Sequence, residues 1–95
     1  MARYAVDEAE LAAALADLAG WSIVGGKLHK EFRFDSFAAA IGWMVSIAIK
    51  ADKMDHHPEW FNVYNRVRVD LVTHDLGNAI SNWDIELAKV MNSLA

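Results

Sequence analysis

Apolar positions recur along the chain with two different periods, and the changes between them predict its elements. Leu11, Leu15 and Leu18 are spaced as on one face of a helix. Asp7 ahead of Glu10 resembles a capping box, Val6 and Leu11 stand where a hydrophobic staple would, and Gly20 is a stop signal. A first helix is expected over about residues 8–19. The stretch WSIVGGKLHKEFRF then changes to period two. Gly25-Gly26 between strand-like runs predicts a tight hairpin, because both residues tolerate positive φ. In its second strand Leu28, Phe32 and Phe34 share one face, and Lys27, His29, Glu31 and Arg33 share the other.

FAAAIGWMVSIAIKADKMD returns to a helical period, with Asp35 or Ser36 as its cap. Phe37, Ile41, Met44, Val45 and Ala48 form one apolar stripe; Ala40, Trp43 and Ile47 form a second. A helix apolar on two sides is usually buried on both. The sheet can cover one stripe. A second subunit is the natural cover for the other, and Trp43 and Ile47 are assigned to that partner-facing stripe. Beyond Pro58, Val67, Val69 and Leu71 alternate with Arg66, Arg68 and Asp70, a strand with one wet face, and Asn65 is placed for a turn ahead of it. Ser81 opens a last helix with Asp84 as its capping-box acid and Trp83, Leu87, Val90 or Met91, and Leu94 on its apolar side. The order helix, two strands, helix, two strands, helix predicts an α+β fold: a four-stranded antiparallel sheet with three helices packed on one face.

Composition narrows the classes of function. The 95 residues are expected to form one domain, 1–95, and a chain this short gains from oligomerisation. The net charge of -4 argues against nucleic acid and against an anionic membrane as partners. There is no cysteine, hence no disulfide, no thiolate nucleophile and no cysteine zinc site. The N-terminal stretch lacks a signal-peptide run, and the most apolar stretch, residues 37–49, is shorter than the roughly 20 residues of a membrane span. A soluble, cytoplasmic protein is expected.

The chemistry concentrates in ADKMDHHPEWFNVY, residues 51–64. Adjacent His56 and His57 follow two acids and precede the only proline. Three readings are open. Histidines near a helix C-terminus interact favourably with its dipole and mark its end. A metal set could draw on His74 and Asp52, but no HExxH-like spacing is present and adjacent histidines point apart. Acid–base catalysis suits imidazoles, which give and take protons near neutral pH. His29, on the polar face of a strand, is expected to be a plain surface residue. Nucleophilic catalysis has no support, since no GxSxG motif occurs.

The stretch DKMDHHPEWFNVYNRVRVDLVTH followed by Asp84 resembles the signature of the pterin-4a-carbinolamine dehydratases. That signature runs from an acidic residue through His-His-Pro to an aromatic, a histidine and an aspartate. Asp52, His56-His57-Pro58, Tyr64, His74 and Asp84 occupy those positions over 33 residues. The capped first helix, the Trp21 strand and the FxF strand ending at Phe34 extend the likeness over most of the chain. Asp52 stands where the family commonly has the longer Glu.

The resemblance implies dehydration of 4a-hydroxytetrahydropterin to quinonoid dihydropterin, which recycles the cofactor of aromatic amino acid hydroxylases. It implies no metal, no cofactor, and a homodimer or homotetramer. By the same likeness His56 and His74 are the candidates for acid and base, in an order left open. His57 is expected to hold the pterin and Asp52 to orient a histidine. Asp55, Pro58, Thr73 and Asp75 are expected to contact the pterin, and Trp60 to wall its pocket or lie in the core. A pterin-binding or protein-assembly factor acting outside hydroxylase recycling, for example in molybdopterin-related metabolism, is the competing expectation.

Overall fold

The computed structural model describes residues 2–95. Local signals place most element ends. α1 spans Glu8–Asp17, and its N-cap Asp7 accepts from the Glu10 amide at 2.7 Å. Only this half of the expected box forms, because the Glu10 carboxylate instead accepts from the Tyr4 hydroxyl at 2.6 Å. β1 (Ser22–Val24) and β2 (Lys27–Arg33) are joined through Gly25 and Gly26, whose φ of 58° and 77° are those of a primed two-residue turn. Ser36 caps α2 (Phe37–Met54) by accepting from Ala39 N. β3 (Glu59–Val63) and β4 (Arg66–Leu71) are separated by Tyr64 and Asn65. A single 3-10 turn at His74–Leu76 follows. α3 (Asn82–Leu94) starts with the complete Ser81/Asp84 capping box.

The strands pair antiparallel in the order β1-β2-β4-β3. This is the expected α+β fold of three helices and a four-stranded sheet. Leu28 and Phe32 of β2 and Val67, Val69 and Leu71 of β4 are buried in one core with Trp43, Ile47, Leu87 and Met91 from the helices. Burying side chains of this size is worth about 1.5–3 kcal/mol each. Trp43 is at its centre, 4.5 Å from Phe32 and 6.2 Å from Trp60 between ring centroids, with Nε1 donating to Met91 O at 3.2 Å.

The two stripes of α2 are therefore the reverse of the assignment made from sequence. Ala40, Trp43, Ile47 and Ala51 face the core, while Phe37, Ile41, Val45 and Ile49 lie open. Trp43 and Ile47 are chosen as the core stripe because α3 closes over them. In α3 the buried stripe is Ile85, Leu87, Ala88 and Met91, and Leu94 is exposed. Lys30 shares the core-facing side of β2 but sends its ammonium out over the Phe32 ring, to Ala19 O and Asn92 Oδ1 at 2.8 Å each. Burial lowers its pKa from the ordinary lysine value.

Among the described residues no helix is long and apolar enough to cross a membrane.

Candidate active site

The end of α2 sets the two adjacent histidines apart. Asp55 takes the left-handed conformation, φ 51°, and its amide returns to the Ala51 and Asp52 carbonyls. A short polar residue tolerates this C-cap geometry. His56 N then bonds Ala51 O at 3.1 Å, so the His56 ring turns inward and is only 6% exposed. The His57 ring stays outside, with Nε2 2.9 Å from Asp52 Oδ1 one turn back on α2.

Inside, His56 Nε2 lies 2.5 Å from Asp84 Oδ1. Asp84 is fully buried; its other oxygen accepts from the Ser81 amide at 2.8 Å and the Thr73 hydroxyl at 2.9 Å. One carboxylate thus caps α3, anchors the strand leaving β4 and orients a histidine. His74 starts the 3-10 turn after Thr73, a turn closed by Gly77 N to His74 O at 3.2 Å. Its Nε2 lies 3.0 Å from Glu59 Oε2, at the first residue of β3. The other oxygen of Glu59 accepts from Lys27 Nζ at 2.6 Å. The Lys27 bond, then the His74 bond, holds the Glu59 carboxyl below the usual carboxylate range, and the same bond to Glu59 raises the Lys27 ammonium.

A carboxylate only accepts, so each Nε2 facing one carries the proton. Each ring keeps Nδ1 as its remaining acceptor. His56, His57 and His74 all line one cleft of about 240 Å³, with Arg3, Asp55, Pro58, Glu59, Val72, Thr73 and Asp75. Polar donors and acceptors that converge on such a hollow, with histidines tethered to carboxylates, can donate and take protons on a bound small molecule.

Most of the residues predicted for the site meet there. Asp52 does so through His57. Thr73 lines the cleft, but its hydroxyl is engaged with Asp84 and Ser81. Trp60 does not reach it: its partner across the sheet is Val69, on the helix-covered face, and it packs against the core beside Trp43. His29 is not a plain surface residue; it is partly buried, with Nδ1 2.8 Å from Asp70 Oδ1 on the neighbouring strand.

Arg3 and Glu59 were not foreseen. Glu59 has a weak signal, its place directly after Pro58. Arg3 has none. It arrives because buried Asn82 clamps the N-terminal segment, accepting from Tyr4 N and donating to Ala2 O, both at 2.9 Å. Arg3 then donates to Asp55 O at 2.9 Å, approaches Asp75 at 3.7 Å and lies over the Trp83 ring. It ties the turn bearing His56 to the turn bearing His74.

Residues 4–94 match the family model described as pterin 4 alpha carbinolamine dehydratase. A provisionally named pterin-4-alpha-carbinolamine dehydratase of Jannaschia sp. is 51% identical over 94 residues, 95% of each chain. One so named from Solibacter usitatus is 47% identical over 90 residues, 95% of this chain and 94% of its own. The crystal structure of a transcriptional coactivator/pterin dehydratase from Brucella melitensis superposes with a TM-score of 0.91 at 44% identity, covering 97% of this chain and 99% of its own. The chain belongs to the pterin 4 alpha carbinolamine dehydratase family.

Proposed function

We propose that this protein dehydrates 4a-hydroxytetrahydropterin to quinonoid dihydropterin and water by histidine acid–base catalysis. The observation that carries the reading is the set of three histidines around one cleft, each with Nε2 held by its own carboxylate.

The reaction moves two protons and breaks one carbon–oxygen bond. A base takes the proton from N5, and the electrons of that N–H bond form the C4a=N5 double bond. The C4a–O bond breaks with its electrons on oxygen, and an acid supplies the proton that makes the leaving group water. A positioned acid or base is typically worth about 10² to 10⁴ in rate. His56 and His74 take these roles. His57, exposed and steered by Asp52, holds the pterin at the rim. Asp55, Pro58 and Asp75 border the ring, and Thr73 supports the wall through Asp84. No metal or organic cofactor enters. The product returns to an aromatic amino acid hydroxylase in the cytoplasm.

The working form in this proposal is a homodimer or homotetramer. The open stripe Phe37, Ile41, Val45 and Ile49 supports it, since monomers rarely leave such a run uncovered. The same stripe and the coactivator half of the Brucella protein's name favour a second reading, a protein-binding role alongside the enzyme.

Turnover of freshly generated 4a-hydroxytetrahydropterin tests the main reading. Acceleration over the buffer reaction is expected. An unchanged rate at micromolar protein would leave the binding role in its place.

A further inference from the structure

The three cleft histidines differ in what else their carboxylates hold. Asp84 is buried, and its second oxygen takes only neutral donors, the Thr73 hydroxyl and the Ser81 amide. Asp52 is 81% exposed and shares its charge with water. Glu59 alone is also bound to a cation. Lys27 stands on β2 and Glu59 on β3, with β4 between them, yet Nζ reaches Oε1 at 2.6 Å while Oε2 faces His74 at 3.0 Å. An ammonium on one oxygen weakens a carboxylate as counter-ion for an imidazolium on the other.

We propose that Glu59 and Lys27 are positioning residues that make His74 the base of the reaction: Glu59 fixes the ring proton on Nε2, and Lys27 offsets the pull of that carboxylate on a second proton. His74 then offers Nδ1 to the N5 proton. His56, facing a carboxylate that no cation opposes, takes a second proton on Nδ1 and gives that proton to the leaving hydroxyl, and exchange with water restores both rings. The role of His74 rests on the dehydratase reading; the Lys27–Glu59–His74 coupling does not. The depressed Glu59 carboxyl and raised Lys27 ammonium agree with a Lys27–Glu59 ion pair at neutral pH. The other charged or titratable groups around His74 are Asp75 on its own turn, Arg3 from the N-terminal segment, and Asp55, His56 and His57 beyond α2. Asp70 of β4 acts on Lys27 and binds His29.

The test is the His74 ring titration by NMR, with the pH profile of kcat/KM, in Lys27→Met, Glu59→Gln and the double variant. Backbone spectra confirm the fold of these surface variants. Lys27→Met is expected to move the His74 midpoint up by about 0.5 pH unit, the scale of an exposed ion pair. Glu59→Gln is expected to move it down, and the double variant to match Glu59→Gln. The acid limb of kcat/KM should follow each shift, as a base requires. A Lys27→Met shift of equal size with and without Glu59, or none at all, overturns the coupling. Movement of the alkaline limb instead overturns the assignment of His74 as base, as does a wild-type protein with no dehydration activity, where the NMR shifts still decide the coupling.

Discussion

His56 and Asp84, 28 positions apart in the chain, meet at 2.5 Å, with Asp84 fully buried and His56 open only toward the cleft. The contact joins the end of α2 to the start of α3 and fixes the ring that borders the cleft. Such a pair is costly to break from one side, because a buried charge or donor is left without its partner. Asp84→Asn keeps the size and removes the charge. It is expected to lower stability by about 3 kcal/mol in urea denaturation and the dehydration rate by about 10²-fold. A variant that loses stability but keeps the wild-type rate would confine Asp84 to capping.

Glu59 gives the stability of the protein a pH dependence with a definite sign. Its folded carboxyl is depressed by Lys27 and His74. Its contribution is therefore present above the ordinary glutamate range and is lost as pH falls through the lower folded value. Melting temperatures of wild type and Glu59→Gln should differ near neutral pH and converge as pH falls below the ordinary glutamate range. A difference that is constant across that window would remove Glu59 from the acid response.

Local signals carried much of the fold. The Gly25-Gly26 hairpin, the Ser81/Asp84 box and the Val67–Val69–Leu71 alternation all act over a few residues, and each formed where expected. The failures lie where distant elements decide. Trp43 is buried because α3 brings Met91 against it, which the pattern of α2 alone does not encode. Trp60 alternates with Glu59 and Phe61, so its core position followed from the register with Val69 once β3 and β4 were paired. The site was legible as a set of histidines with Asp52 expected to orient one of them, but the Asp84 and Glu59 pairs were not. Asp84, Glu59 and Asp52 approach their rings through three different elements, and Arg3 arrives through Asn82.

The open stripe of α2 makes the assembly proposal specific. Val45 is 55% exposed on the single chain, so Val45→Glu leaves the core untouched. In an interface built on that stripe it buries an unpaired charge. Sedimentation is expected to show an oligomeric wild type and a smaller, folded Val45→Glu species. A wild type that sediments as a monomer at micromolar concentration contradicts the proposal.

Chelation checks the chemistry from another side. The Nε2 atom of each cleft histidine is committed to a different carboxylate. Exhaustive treatment with EDTA is expected to leave the dehydration rate unchanged, and loss of rate restored by zinc or iron would require a metal in the mechanism.

The most direct measurement of the central claim is the stopped-flow rate of 4a-hydroxytetrahydropterin dehydration by wild type, His56→Ala, His74→Ala and the double variant, with His29→Ala as control. Wild type and His29→Ala are expected to accelerate the reaction equally. Each single cleft variant should be at least about tenfold slower while folded, and the double variant should approach the rate in buffer alone. A folded double variant that keeps the wild-type rate would contradict acid–base catalysis by these histidines.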